Sequence, residues 1–184
     1  MRRLTYYVAT TIDGFISGPG GEFDFFPMAA DVLEAINAEW PETVPTQFRT
    51  QAGLADVPNK HFDTVLMGRA TYQLGDASPY AHLRQIVFSR TLTSPDRAVE
   101  IVAGNPAETV RALKQEDGLG IWLCGGADLA GQLLPEIDEL IVKRYPVVAG
   151  TGKPMFGAGF APSPFTLVES LSFESGALVS TYRR

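Results

Sequence analysis

Three stretches of the chain place glycine, a hydroxyl or an arginine directly after an apolar run of strand type, and all three suit the binding of phosphate oxygens. The first is Leu123-Cys124-Gly125-Gly126-Ala127-Asp128. Adjacent glycines permit backbone conformations, and an approach by a ligand, that a Cβ would block. A helix that starts there turns its unpaired N–H groups and positive dipole end toward the gap, which suits a pyrophosphate. The second is Met67-Gly68-Arg69-Ala70-Thr71, where Gly68 opens the turn, Arg69 brings a planar multi-donor cation and Thr71 a hydroxyl. The third is Phe88-Ser89-Arg90-Thr91. Ser89 and Arg90 stand at the end of an expected parallel strand, the edge at which open α/β sheets bind ligands. Each has a plain structural reading too: a tight turn for Gly125-Gly126, which completes no GxGxxG fingerprint, and a solvated, capped helix for Arg69. Three such turns at three strand ends outweigh any one of them.

The other chemistry-bearing residues are fewer. Phe15, Phe23, Phe25, Phe26 and Met28 crowd one short region, and Phe15 and Phe25 are candidate walls for a planar heteroaromatic ligand, with core packing as the competing use. Cys124 ends an apolar strand with no His near it in sequence and reads as a buried structural thiol. His61, His82 and this single Cys do not make a zinc spacing, so no metal site is expected. Residues 4–48 carry seven acidic side chains and no Lys or Arg. An anionic substrate would therefore need a cation from elsewhere, with Arg49 and Lys153 as candidates.

The elements that must position these residues alternate between short β-branched or aromatic runs and helical patterns, the mark of an α/β domain with a largely parallel sheet. Strands are expected at residues 3–11, 64–67, 85–88, 98–102, 120–124 and 139–145. Residues 13–21 read as a glycine-rich loop long enough to act as a lid. Val32, Leu33, Ile36 and Trp40 recur at helical spacing over residues 29–40, and Pro41 and Pro45 end that helix. Residues 41–60 read as a surface excursion with room for a short helix at 47–52, and residues 70–74 as another short helix. A helix at 106–115 has Asn105 as its N-cap and Pro106 at its first position. A further helix after Gly126 carries Leu129, Leu133 and Leu134, and residues 165–173 and 177–182 form a C-terminal antiparallel hairpin around Ser175-Gly176. The expectation is one domain over residues 1–184.

Composition narrows the partners. A formal net charge of −6 over 184 residues, without a basic stripe, argues against nucleic acid, whose binding relies on clustered Lys and Arg. No apolar run reaches the roughly 18 to 20 residues of a membrane span, and Met1-Arg2-Arg3 leads into an alternating strand pattern, not a signal-peptide core. A single cysteine fits a reducing compartment, so a cytoplasmic protein acting on a small molecule is expected.

The ordered set Thr10-Thr11-Ile12-Asp13-Gly14-Phe15-Ile16, Leu66-Met67-Gly68-Arg69-Ala70-Thr71-Tyr72, Val87-Phe88-Ser89-Arg90, Trp122-Leu123-Cys124-Gly125-Gly126 and Asp138-Glu139-Leu140, with the late segment from Val147 to Phe156, resembles the dihydrofolate reductase-like superfamily. It is most similar to the branch that contains the reductase domain of bacterial riboflavin biosynthesis and its stand-alone relatives. The resemblance implies a three-layer α/β/α fold with a mixed, mostly parallel sheet and a C-terminal antiparallel hairpin. It implies NADPH as cofactor, a homodimer, and hydride transfer to a small pyrimidine or pteridine, as in 5-amino-6-(5-phosphoribosylamino)uracil reductase. By the same resemblance, Gly68, Arg69, Ala70 and Thr71 bind cofactor phosphates, and Ser89 and Arg90 bind the adenosine end with its 2′-phosphate. Gly125, Gly126, Ala127 and Asp128 hold the pyrophosphate, with a Gly-Gly peptide that is often cis in relatives. The proton donor it points to is Asp31, in the helix after the lid, with Asp13 the weaker candidate; compensation of a helix dipole is the other use of Asp31. A non-catalytic nucleotide-binding module of the same fold and a true dihydrofolate reductase are the alternatives.

Overall fold

The run Leu4-Thr5-Tyr6-Tyr7-Val8 is buried on both faces, as a strand must be when helices cover each side of a parallel sheet. The computed structural model describes residues 1–75, 77–93 and 96–184. In chain order the elements are β1 (Leu4–Thr10), β2 (Phe15–Ser17), α1 (Ala30–Glu39), α2 (Thr46–Arg49), β3 (Phe62–Gly68), α3 (Arg69–Tyr72), β4 (Arg84–Phe88) and β5 (Val99–Val102). They continue with α4 (Pro106–Gln115), β6 (Gly120–Gly125), α5 (Ala127–Leu133), β7 (Glu139–Arg144), β8 (Lys153–Pro154), β9 (Thr166–Ser172) and β10 (Leu178–Arg183).

Eight strands make one sheet in the order β5-β4-β3-β6-β1-β7-β10-β9. Pairing is parallel from β5 to β7 and antiparallel for β10 with β7 and with β9, the mixed sheet with a terminal hairpin that the sequence predicts. Two apolar layers flank it. On one face Val32 and Ile36 of α1 pack with Tyr7, Met67, Trp122 and Ile141. On the other, Val110 and Leu113 of α4 and Leu129 and Leu133 of α5 pack with Leu4, Tyr6, Leu66 and Leu123. Each such fully buried aliphatic side chain contributes about 1.5–3 kcal/mol. Asn105 caps α4 by accepting from the Ala107 N–H at 2.9 Å, with Pro106 following it.

Three local expectations change. The predicted lid is not loop throughout: Phe15–Ser17 form β2, which pairs antiparallel with β8 far along the chain. The helix expected at 70–74 begins at Arg69 and ends at Tyr72, a single turn closed by the Gln73 N–H donating to Arg69 O at 3.0 Å. The short helix of the 41–60 excursion lies at Thr46–Arg49, starting one residue and ending three residues earlier than the expected 47–52. That excursion is tied down by polar groups. The fully buried Glu42 carboxylate accepts from the N–H groups of His61 at 2.7 Å, Phe62 at 2.8 Å and Lys60 at 3.3 Å, fixing the entry into β3.

Candidate active site

The C-terminal ends of β3 and β6 meet because the two strands are adjacent, with Met67 opposite Gly125. A Cβ on Gly68 would stand 3.6 Å from Gly125 O and Gly126 N, so these two turns share one surface. Gly125 has φ +125°, a conformation that residues with a side chain rarely adopt, and the Gly125–Gly126 peptide is cis. A Cβ on Gly126 would press on the Thr71 hydroxyl at 3.3 Å, so glycine keeps the space before Thr71 open. Arg69 reaches across to the third turn. Its Nη1 donates to Thr91 Oγ1 at 3.0 Å and its Nε to Gln73 Oε1 at 3.2 Å. Ser89 Oγ accepts from the N–H groups of Leu92 at 3.0 Å and Thr91 at 3.3 Å, which closes the turn after β4. Arg90 is exposed and makes no side-chain hydrogen bond or ion pair among the described residues. Ala70 is exposed in α3.

The first turn of α5 has a different neighbour. Ala127 is buried and its carbonyl accepts from the Gly157 N–H at 2.9 Å, while the Asp128 carboxylate lies beside Gly157. Tyr6 anchors the same late segment, donating its hydroxyl to Met155 O at 2.9 Å.

Asp13 and Asp31 each bind loops together. Asp13 accepts from the Thr11 hydroxyl at 2.6 Å and from the N–H groups of Ala149 at 3.1 Å and Gly150 at 2.7 Å. These bonds, with the Thr11 hydroxyl the largest influence, hold its carboxyl below the usual range and dock the glycine loop on residues 147–151. Asp31 accepts from the Ser175 N–H at 3.0 Å and the Val32 N–H at 2.8 Å, joining the start of α1 to the β9–β10 turn. The Ser175 contact is the main cause of its lowered pKa. Both groups are ionised acceptors near neutrality, the opposite of what a proton donor needs.

Phe25 stacks on Phe26 at 4.6 Å between ring centroids and lines a hollow of about 330 Å³ with Gly18, Glu22, Val147 and Ala149. Phe15 is not among the residues lining that hollow; it lies on β2 against Gly152. Of the cations considered for an anionic substrate, Arg49 is buried and donates to Pro41 O and Val57 O, each at 2.6 Å, so it supports the excursion instead. Lys153 is exposed near Gly21.

One residue at this end of the sheet was not singled out from the sequence. Lys143 sits on β7 opposite Ala9 of β1 and Val179 of β10, with its Nζ 4.0 Å from the centroid of the Tyr7 ring. It has no ion pair and no side-chain hydrogen bond among the described residues. Burial lowers its pKa to about 8, opposed by the nearby Cys124 thiol, which burial itself pushes up to about 12. The sequence signal was the alternation Ile141, Lys143, Tyr145: a period of two puts the lysine on the core face of its strand. Among the described residues no group of three or more His, Cys, Asp or Glu side chains is placed to hold a metal ion, and no helix is long and apolar enough to cross a membrane.

Comparison with known proteins adds the following. A family model described as the RibD C-terminal domain matches residues 2–179. The protein YyaP of Bacillus subtilis (strain 168) is 31% identical over an alignment of 198 positions that covers 98% of this chain and 94% of its own. A putative riboflavin biosynthesis protein from Shewanella sp. PV-4 has a similar structure, with a TM-score of 0.71 at 24% identity, covering 100% of this chain and 99% of that one. Dihydrofolate reductase from Enterococcus faecalis, complexed with NADP(H) and RAB-propyl, superposes with a TM-score of 0.67 at 16% identity, covering 99% of this chain and 96% of that one.

Proposed function

We propose, from the premise that the chain belongs to the RibD C-terminal domain family, that it is an NADPH-dependent reductase acting on a small pyrimidine- or pteridine-type substrate. The observation that carries this reading is the convergence of three turns on one sheet end: Gly68 against Gly125-Gly126, Thr71 beside Gly126, and Arg69 extended to Thr91. The space before Thr71 is one that a Cβ would fill, and Arg69 extends from the same turn to Thr91, so the residues present fit a phosphorylated dinucleotide. Gly68, Ala70 and Thr71 with Gly125, Gly126 and the first-turn N–H groups of Ala127 and Asp128 would hold the pyrophosphate, since those N–H groups lack an intrahelical acceptor. Arg69, Ser89 and Arg90 would hold the 2′-phosphate. When bound, NADPH supplies a hydride from its nicotinamide ring.

The chain's own residues then orient and shield the reacting groups. Asp13 keeps the glycine loop docked over the sheet end and excludes water, as closed loops do. Asp31 fixes α1 against the hairpin turn. In this proposal neither aspartate is the proton donor. Phe15 and Phe25 contribute apolar surface on either side of the loop. The reductase activity is placed in the cytoplasm, with the protein as a homodimer.

The test is titration of the purified protein with NADPH and NADH by protein-to-nicotinamide energy transfer. It is followed by loss of reduced-coenzyme absorbance with dihydropterin and ribosylaminopyrimidine substrates. Binding of NADPH at least about tenfold tighter than NADH, as one charge-assisted contact provides, with turnover of one class, supports the reading. Tight binding without turnover on the whole panel favours the non-catalytic binder, and absence of binding removes both.

A further inference from the structure

Lys143 is a half-buried cation that the cofactor cradle leaves unused. Continuing the register of β1 with β6 beyond Tyr6 and Leu123 puts Val8 level with Gly125. Across β1 on the other side, Ala9 is level with Lys143. Between the Gly-Gly turn and the lysine there is thus one strand, whose side chain at that level is a methyl group. Two strand spacings, about 10 Å, separate β6 from β7 across Ala9. The surroundings are aromatic and apolar: Tyr7 beneath the ammonium, Cys124 on β6 with the Tyr80 hydroxyl behind it, Tyr145 two residues on, and Val179 on β10. Arg144, the nearest charge on the same strand, alternates to the opposite face, and no carboxylate among the described residues pairs with Lys143. Taken as a whole, the Lys143 side chain is half-buried.

Resting on the reductase reading, we infer that Lys143 is the catalytic acid, which binds the heteroatom of the substrate's reducible C=O or C=N bond and protonates it as hydride arrives at carbon. The electron balance is closed. The substrate carbon gains hydride, with NADPH leaving as NADP⁺, and the π pair of C=O or C=N passes to oxygen or nitrogen. That atom takes the proton as one Nζ–H bond of Lys143 breaks, and the neutral amine regains a proton from solvent. The substrate class that matches is a planar, uncharged heterocycle or carbonyl compound presenting a polar C=X edge, because residues 4–48 supply acids and no cation. The titratable groups around the lysine are Cys124, which acts on its charge, Tyr7, whose ring lies under the ammonium, and Tyr80 and Tyr145 nearby.

The experiment has two parts. First, lysine is labelled with ¹³C at the ε carbon, and the resonance missing from Lys143→Met is titrated with pH in free protein, with NADPH and with NADP⁺. The positively charged nicotinamide of NADP⁺ should move the Lys143 midpoint lower than NADPH does, which a lysine remote from the ring would not show. Second, Lys143→Met and Lys143→Arg are assayed at saturating NADPH. A general acid contributes about 10²- to 10⁴-fold, so kcat should fall by that factor in both variants, with the substrate KM closer to wild type in Lys143→Arg, which keeps the charge. If NADPH and NADP⁺ bind with the Lys143 midpoint equal in both complexes, or if Lys143→Met keeps wild-type kcat, this inference fails while the reductase reading stands. If neither coenzyme binds, the reductase reading fails and this inference with it.

Discussion

Replacing Lys143 with methionine should stabilise the protein while removing activity, and the size of the effect follows from its surroundings. Burial moves this lysine from an ordinary 10.5 to about 8, a displacement equivalent to roughly 3 kcal/mol of unfavourable interaction with its charged form. Methionine fills similar space without the charge. It forfeits the ammonium's contact with the Tyr7 ring, worth about 0.5–2 kcal/mol. The net gain expected for Lys143→Met at neutral pH is about 1–2 kcal/mol, which raises Tm by roughly 2–8 °C for a chain of this length. The pH dependence carries a sign. The folded protein releases the lysine proton near pH 8 and the unfolded chain near 10.5. Between those values the unfolded state binds the extra proton, so wild-type stability rises with pH and the advantage of the variant shrinks. Urea unfolding of both proteins from about pH 7 to about pH 10 measures this. A variant less stable than wild type at neutral pH, or a gap that stays constant across that range, would refute the argument that the ammonium is held at a desolvation cost.

Arg69→Ala should weaken NADPH by about tenfold or more while weakening NADH less, since one charge-assisted hydrogen bond is worth about 1.5–3 kcal/mol; equal losses in fluorescence titration would contradict a 2′-phosphate role. Gly126→Ala places a Cβ 3.3 Å from the Thr71 hydroxyl, so NADPH affinity should drop in the same titration with the melting curve little changed. Asp13→Asn removes an ionised acceptor from Thr11, Ala149 and Gly150. Proteolysis within residues 13–21 should accelerate in that variant, and in wild type the loop's docking should be lost only as pH falls below the ordinary carboxylate range through the lowered pKa of Asp13. Glu42→Ala leaves three N–H groups at the start of β3 without their acceptor, and urea unfolding should show a loss of about 2–5 kcal/mol.

The elements of the fold were legible in the sequence because their signals are local. Alternation and buried runs mark β1, β3, β4, β6 and β7, and Asn105-Pro106 marks the start of α4. The glycine turns at Gly68 and Gly125-Gly126 were legible for the same reason, since backbone conformation at a turn is set by the residues in it. β2 and β8 were missed because a strand of two or three residues has almost no periodicity, and only its distant partner makes it a strand. The roles of the aspartates depend on contacts of the same kind: Asp13 meets Gly150 across 137 positions and Asp31 meets Ser175 across 144. Local pattern shows that an acid stands near a helix start, not which distant amide will hold its charge.

By itself the sequence determined an α/β chain with three phosphate-suited turns and an acidic, cation-free stretch before residue 49. Tertiary structure decided which turns touch and which cation lies over the Tyr7 ring without a carboxylate partner among the described residues. Strand order is the physical reason: β1 lies between β6 and β7 in space although far from both in sequence, so ladder hydrogen bonds set Lys143 across β1 from the Gly125-Gly126 turn. Burial among aromatic rings, which no local window contains, then gave that lysine its lowered proton affinity.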